Sequence, residues 1–176
     1  MRTKTLHVPV VVLAILVFAL PGLAQQQKGD VELGINGSVT VPHSDPSTTT
    51  GEISGSLGKY ISNNNEVGGA AIVFIEKDAQ LVYLNPFFTH LIKTKNPKFY
   101  PFVGGNFGFI LSHDGGTNTE YGGAGYAGIK YYLSQKFAFQ LAYNFQYQHI
   151  AGASFQEQTF SVVTFGFTYL FGKHKR

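Results

Sequence analysis

From Val31 onward the chain alternates. Val31, Leu33, Ile35, Val39 and Val41 take turns with Glu32, Asn36, Ser38 and Thr40, so one face of an extended segment is apolar and the other polar. Near the C-terminus the period of two is sharper. Phe137, Phe139, Leu141, Tyr143, Phe145 and Tyr147 alternate with Ala138, Gln140, Ala142, Asn144, Gln146 and Gln148, and Val163, Phe165, Phe167, Tyr169 and Phe171 alternate with Val162, Thr164, Gly166, Thr168 and Leu170. Between these lie weaker candidates at about 51–62, 66–76, 79–92, 99–112 and 120–133, separated by turn signals such as Asn63-Asn64-Asn65, Lys95-Asn96-Pro97 and Ser134-Gln135. The pattern predicts eight strands. Asn85 and Pro86 interrupt the fourth, so its facing stays open, and no stretch after residue 24 carries a helical period.

Which face is buried follows from volume. In a soluble eight-stranded barrel the apolar face points inward; in a membrane-spanning one the order reverses and the lumen is polar. Strands seven and eight offer rows of Phe and Tyr on one side and Gly, Ala, Asn, Gln and Thr on the other. A narrow lumen takes the small set more easily. A soluble sheet would also carry Lys and Glu on its wet face, where this chain has Gln140, Asn144, Gln146 and Gln148. The expectation is an all-β, eight-stranded antiparallel up-and-down transmembrane β-barrel, with Phe139, Leu141, Tyr143, Phe145, Phe165, Phe167 and Tyr169 facing lipid.

The N-terminus is different. Arg2 and Lys4 precede an apolar run from Val8 to Leu20, followed by Pro21-Gly22-Leu23-Ala24. At roughly 13 residues the run is short of the about 20 needed to span as a helix, and it reads as a signal peptide over 1–24, cleaved before Gln25. A short polar lead (25–28), the barrel (29–172) and a basic tail (173–176) complete the expected organisation.

Composition narrows the chemistry. Cysteine is absent, which removes disulfides, thiolate metal sites, cysteine nucleophiles and N-terminal lipid attachment. Loss of Arg2 and Lys4 leaves 11 basic against 10 acidic residues, so the basic formal charge is no argument for nucleic acid.

Three segments carry a resemblance. They are Phe99-Tyr100-Pro101-Phe102-Val103-Gly104-Gly105, the run from Gly122 to Leu133 leading into Phe137 to Tyr147, and Gly58-Lys59-Tyr60-Ile61-Ser62 before an Asn-rich turn. Over roughly 29–171 the chain resembles the outer-membrane β-barrel domain family of Gram-negative bacteria, the small eight-stranded group that includes the transmembrane domain of outer membrane protein A. The resemblance implies residence in the outer membrane with both termini periplasmic, outer-membrane lipid and the barrel insertion machinery as partners, and no cofactor. Phe171 stands where family members carry the aromatic residue read during insertion, although Gly172 to Arg176 follow it.

Such barrels are filled by side chains and argue against a general diffusion porin. The function expected is structural or surface-interacting, without catalysis. One alternative is a narrow path for small apolar solutes, as in the outer membrane protein W type, which a lateral opening would favour. Another is a lipid-modifying enzyme. His43, Asp45, His113, Asp114, His149 and Glu157 fall in or beside the longer connections, and a His bonded to both Ser and an acid would favour it.

Two charge arrangements complete the expectations. Glu32 and Lys130 share inward parity at similar height and should pair in the lumen, directly or through water or Asn36. Sorted by topology, the outer half holds seven acids against Lys77, and the periplasmic half ten bases against three acids. The acidic outer rim, with Asp45, Asp114 and Glu120, suits weakly bound divalent cations such as calcium or magnesium.

Overall fold

A computed structural model describes residues 26–43, 50–75, 80–111, 120–150 and 156–172. Eight strands follow one another: β1 (Val31–Pro42), β2 (Thr50–Tyr60), β3 (Asn65–Ile75), β4 (Gln80–Leu91), β5 (Phe99–Leu111), β6 (Glu120–Tyr132), β7 (Phe137–Ile150) and β8 (Gln156–Phe171). Each pairs antiparallel with its sequence neighbours, and β8 returns to β1 along Val31↔Phe171 through Pro42↔Phe160, closing the barrel. Closure leaves no strand edge unpaired, a requirement for crossing lipid with strands. The strands run 11 to 16 residues, long enough for a tilted span of about 9–11 residues. β8 begins six residues before the clean alternation does. The expected signal peptide and C-terminal tail lie outside the described residues.

The short connections are built by local side chains. Ser62 Oγ accepts the amides of Asn64 and Asn65 at 3.3 and 3.0 Å in the β2–β3 turn, and Ser134 Oγ accepts those of Lys136 and Phe137 at 3.4 and 3.1 Å in the β6–β7 turn. In the β4–β5 turn Thr94 Oγ1 donates to the carbonyls of Asn96 and Phe99 at 2.8 and 2.6 Å. These are the local bonds that make Ser, Thr and Asn turn residues.

The alternation resolves into a polar lumen and an apolar exterior. Asn36, Ser54, Ser56, Gln140, Asn144 and Thr164 line the interior, while Ile35, Ile53, Leu57, Tyr143, Phe165 and Phe167 are exposed. β4 settles with odd positions inward: Asn85, Phe87 and Thr89 line the lumen, and Leu84 and Phe88 are exposed. Bulk does not sort cleanly to the outside. Rings also point inward on β2, β4, β5 and β6, and Phe87, Phe102 and Tyr126 among them lie over glycines of a neighbouring strand. A Cβ on Gly104 would meet the Tyr126 ring at 2.5 Å, and one on Gly128 would meet Phe102 Cζ at 2.6 Å.

The end of the barrel that carries the termini is filled. Tyr60, Leu91, Tyr100, Phe102, Tyr132, Ala138 and Leu170 form a buried cluster there. The described part of the short polar lead folds into it. Gly29 takes a left-handed φ of 97° and donates its amide to the Tyr60 carbonyl at 2.7 Å, and Asp30 Oδ2 accepts the Gln27 amide at 2.9 Å. This turn delivers Gln26 to a buried position, where its amide donates to the Tyr132 hydroxyl.

Candidate functional site

Above the plug lies a polar network around Lys130. The side chain is 2% exposed, and its Nζ sits 2.5 Å from Glu32 Oε1 and 3.9 Å from Glu66 Oε2. Tyr60 OH donates to Glu32 Oε2 at 3.1 Å and accepts from Lys130 Nζ at 3.4 Å. Burying an ion pair costs several kcal/mol per charge in desolvation, roughly, and is tolerated when hydrogen bonds satisfy the remaining lone pairs and protons. Tyr60 supplies both. The register places Glu32 opposite Gly58, and Gly58 leaves the volume that the Glu66 carboxyl occupies: a Cβ there would fall on that group.

Asn36 is not the bridge between Glu32 and Lys130. Its Oδ1 accepts Gln140 Nε2 at 2.5 Å instead, one layer higher, where Gly166 makes room for it. Farther up, Asn144 Nδ2 donates to Thr164 Oγ1 at 3.0 Å, and Glu52 accepts from Ser38 and Thr40 at 3.3 Å each. A cavity of about 180 Å³ runs between these layers, closed below by the plug. Among its described lining residues stand three carboxylates, Glu32, Glu52 and Glu66, and one ammonium, Lys130.

Two features mark the wall. The β4–β5 ladder is interrupted: its pairs jump from Leu84↔Phe109 to Phe87↔Asn106, skipping Asn85 and Pro86. Proline has no amide proton to contribute there. Outside this seam lies an apolar trough lined by Leu33, Gly55, Leu57, Gly69, Ala71 and Leu84. The second feature is the aromatic face of β7 and β8. Leu141, Tyr143, Phe145, Phe165, Phe167 and Tyr169 are each 39–51% exposed, and Phe139 is half-buried with its ring edge-on to Phe167 at 5.7 Å. At the end opposite the termini, His43 Nε2 lies 2.7 Å from Ser161 Oγ.

Of the loop residues, Asp45, His113 and Asp114 lie outside the described residues. Glu120 opens β6, and Glu157 stands opposite His149 in the backbone register of β7 and β8. The described side-chain partners of His43 are hydroxyls, Ser161 and Thr159, with the Phe145 ring beside it. Sequence reading missed Glu66, Tyr60, Tyr132 and Gln26 in the lumen and Ser161 on the wall. The inward parity of Glu66, and the missing side chain at Gly58, were the available signals for the first.

No protein-family model and no curated protein matches the sequence. Solved structures do. The N-terminal β-barrel domain of Pseudomonas aeruginosa OprF is 15% identical with a TM-score of 0.55, over 82% of this chain and 100% of that one. Neisserial surface protein A gives 14% and 0.57 over 81% and 96%, and the outer membrane protein OprG from Pseudomonas aeruginosa 14% and 0.54 over 84% and 98%. At these identities the likeness is one of fold: this chain is a closed eight-stranded barrel with the architecture of the small outer-membrane barrels.

Proposed function

We propose that the protein is an integral outer-membrane barrel with both termini periplasmic, acting as a structural or surface-interaction element with no catalysis in its lumen. One observation carries the reading: the barrel turns its apolar side chains outward and closes its polar lumen with a plug centred on Tyr60 and Tyr132. A lumen that is polar, narrow and stoppered serves neither bulk diffusion nor storage of an apolar ligand. The barrel then acts through its lipid-facing wall and its loops, with Leu141, Tyr143, Phe145 and Phe165 in the hydrocarbon.

Two measurements test this. Envelope fractionation should place the protein with lipopolysaccharide-containing membrane, and the purified protein in planar bilayers should show no steady conductance. A large, stable single-channel current would overturn the closed-scaffold reading.

The narrow transport path has one observation in its favour, the β4–β5 seam at Asn85 and Pro86 beside the apolar trough. An apolar solute using it would pass sideways through the wall. Cross-linking β4 to β5 through cysteines at Leu84 and Phe109 should abolish uptake of a radiolabelled apolar solute if the seam conducts. Unchanged uptake would remove this alternative.

A further inference from the structure

Where β7, β8 and the end of β1 meet on the outer wall, four polar side chains form a continuous relay among exposed rings. Ser161 Oγ lies 2.7 Å from His43 Nε2 and 2.7 Å from the Tyr143 hydroxyl, and His43 Nδ1 lies 3.3 Å from Thr159 Oγ1. The closing seam of the barrel fixes this meeting of residues 118 apart in sequence. Val41 pairs with Ser161, and the His43 amide donates to the Thr159 carbonyl at 3.1 Å, so the backbone holds the imidazole beside both hydroxyls. Three proton arrangements satisfy all three contacts. In one of them Tyr143 donates to Ser161, Ser161 donates to Nε2, and the Nδ1 proton goes to Thr159. That tautomer leaves the Nε2 lone pair directed at the serine proton, as a general base requires.

We propose that Ser161 and His43 are a nucleophile and base acting on acyl esters of lipids packed against this wall. The substrate class follows from the surroundings. Val39, Val163, Phe145 and Phe165, each 40–50% exposed, form an apolar surface along which an acyl chain lies, and the relay is the polar step at one end of it. A chain aligned with that surface brings its ester carbonyl to the relay. Ser161 Oγ adds to the carbonyl carbon as its proton passes to His43 Nε2. The tetrahedral oxyanion lies beside the Tyr143 hydroxyl, which donates to it. The bond to the alcohol oxygen breaks, and that oxygen takes the proton from Nε2. Water, deprotonated by the same nitrogen, then attacks the acyl-serine, releasing the fatty acid and restoring Ser161 Oγ–H. Thr159 is a positioning residue, its hydroxyl holding the imidazole through Nδ1 in the place an acid takes in a Ser–His–acid triad. This activity goes beyond the structural role and rests only on the wall being lipid-facing.

The test uses the full chain in detergent micelles, so its outcome is separate from that of envelope fractionation. A long-chain fluorophosphonate should add one adduct, located on Ser161 by mass spectrometry, and a phospholipid radiolabelled in its acyl chains should release fatty acid. Ser161→Ala should abolish both, and His43→Gln should slow both about 100-fold or more. Thr159→Val should shift the pH–rate profile, with Thr159→Ser restoring it. All four variants alter the barrel surface, and circular dichroism confirms that each is folded. Absence of labelling in the unaltered chain would overturn the proposal, as would an adduct that survives Ser161→Ala, equal rates in His43→Gln, or labelling without fatty-acid release. A water-soluble short-chain ester cleaved as fast as the phospholipid would overturn the lipid assignment.

Discussion

Lys130 is buried between two carboxylates, so its removal strands both. Lys130→Met should cost about 3–5 kcal/mol, the usual penalty for leaving a buried charge unpaired. Adding Glu32→Gln and Glu66→Gln to that variant should recover much of the loss, and unfolding in micelles by urea measures both. Additive costs would show that the three groups do not interact. The two members of this network on β1 and β6 were legible from parity and height alone. Glu66 was less so, because the room for its carboxyl comes from a side chain that is missing at Gly58 rather than from one that is present, and nothing in the alternation placed the Tyr60 hydroxyl at the pair. On the other face, Leu141→Arg in a lipid-facing band should cost about 2–4 kcal/mol, and Ala142→Ser on the lumen side far less. If the serine variant proved the more damaging in vesicle refolding, the wall would not face lipid.

At the scale of strands, alternation told inside from outside where the two faces differed in bulk, as on β1, β7 and β8. It was weaker on β4 to β6, where it left the facing of β4 open, for a specific reason. Tyr126 and Phe102 point inward across glycines of the neighbouring strand, so bulk and facing no longer correlate. The same pairing separates two glycine classes. A Cβ on Gly104 would meet the Phe88 carbonyl as well as the Tyr126 ring, and backbone cannot step aside, whereas one on Gly125 would meet nothing within 4 Å. Gly104→Ala should therefore destabilise by about 1–3 kcal/mol through overpacking. Gly125→Ala should be neutral or stabilise by a few tenths, roughly, through the unfolded chain. Thermal unfolding of the two variants in one detergent compares them, and equal effects would contradict the description of Gly104 as a seat for the ring. Register across the closing seam is invisible in sequence. For that reason His43 read as one loop residue among several until β1 and β8 brought it to Ser161.

Charge divides along the barrel axis as a whole. Lys28, Lys59, Lys93 and Lys95 are exposed at the end that bears the termini and short turns, while Glu120 opens β6 and Glu157 is the second residue of β8 at the other. Asp45 and Asp114 belong by sequence to that acidic end, and lie outside the described residues. Glu52 does not join the rim in the same way: it lines the cavity, bonded to Ser38 and Thr40. In the proposed orientation, with the termini periplasmic, the basic end would meet the inner-leaflet headgroups and the acidic end would face the anionic outer leaflet. Two anionic surfaces in contact repel, and divalent cations bridging carboxylate and lipid phosphate remove the repulsion. Oxygen ligands of this kind select calcium or magnesium over softer metals. Because the carboxylates are divided between the β1–β2 and β5–β6 connections, the binding should be weak and fall as salt rises toward a Debye length of about 10 Å or less. Millimolar calcium should raise the unfolding temperature in anionic-lipid vesicles and leave it unchanged in zwitterionic ones. The response should shrink in a chain carrying Asp45→Asn, Asp114→Asn and Glu120→Gln. An identical calcium response in the altered chain would assign the effect to the lipid alone and end the case for an acidic rim that gathers cations.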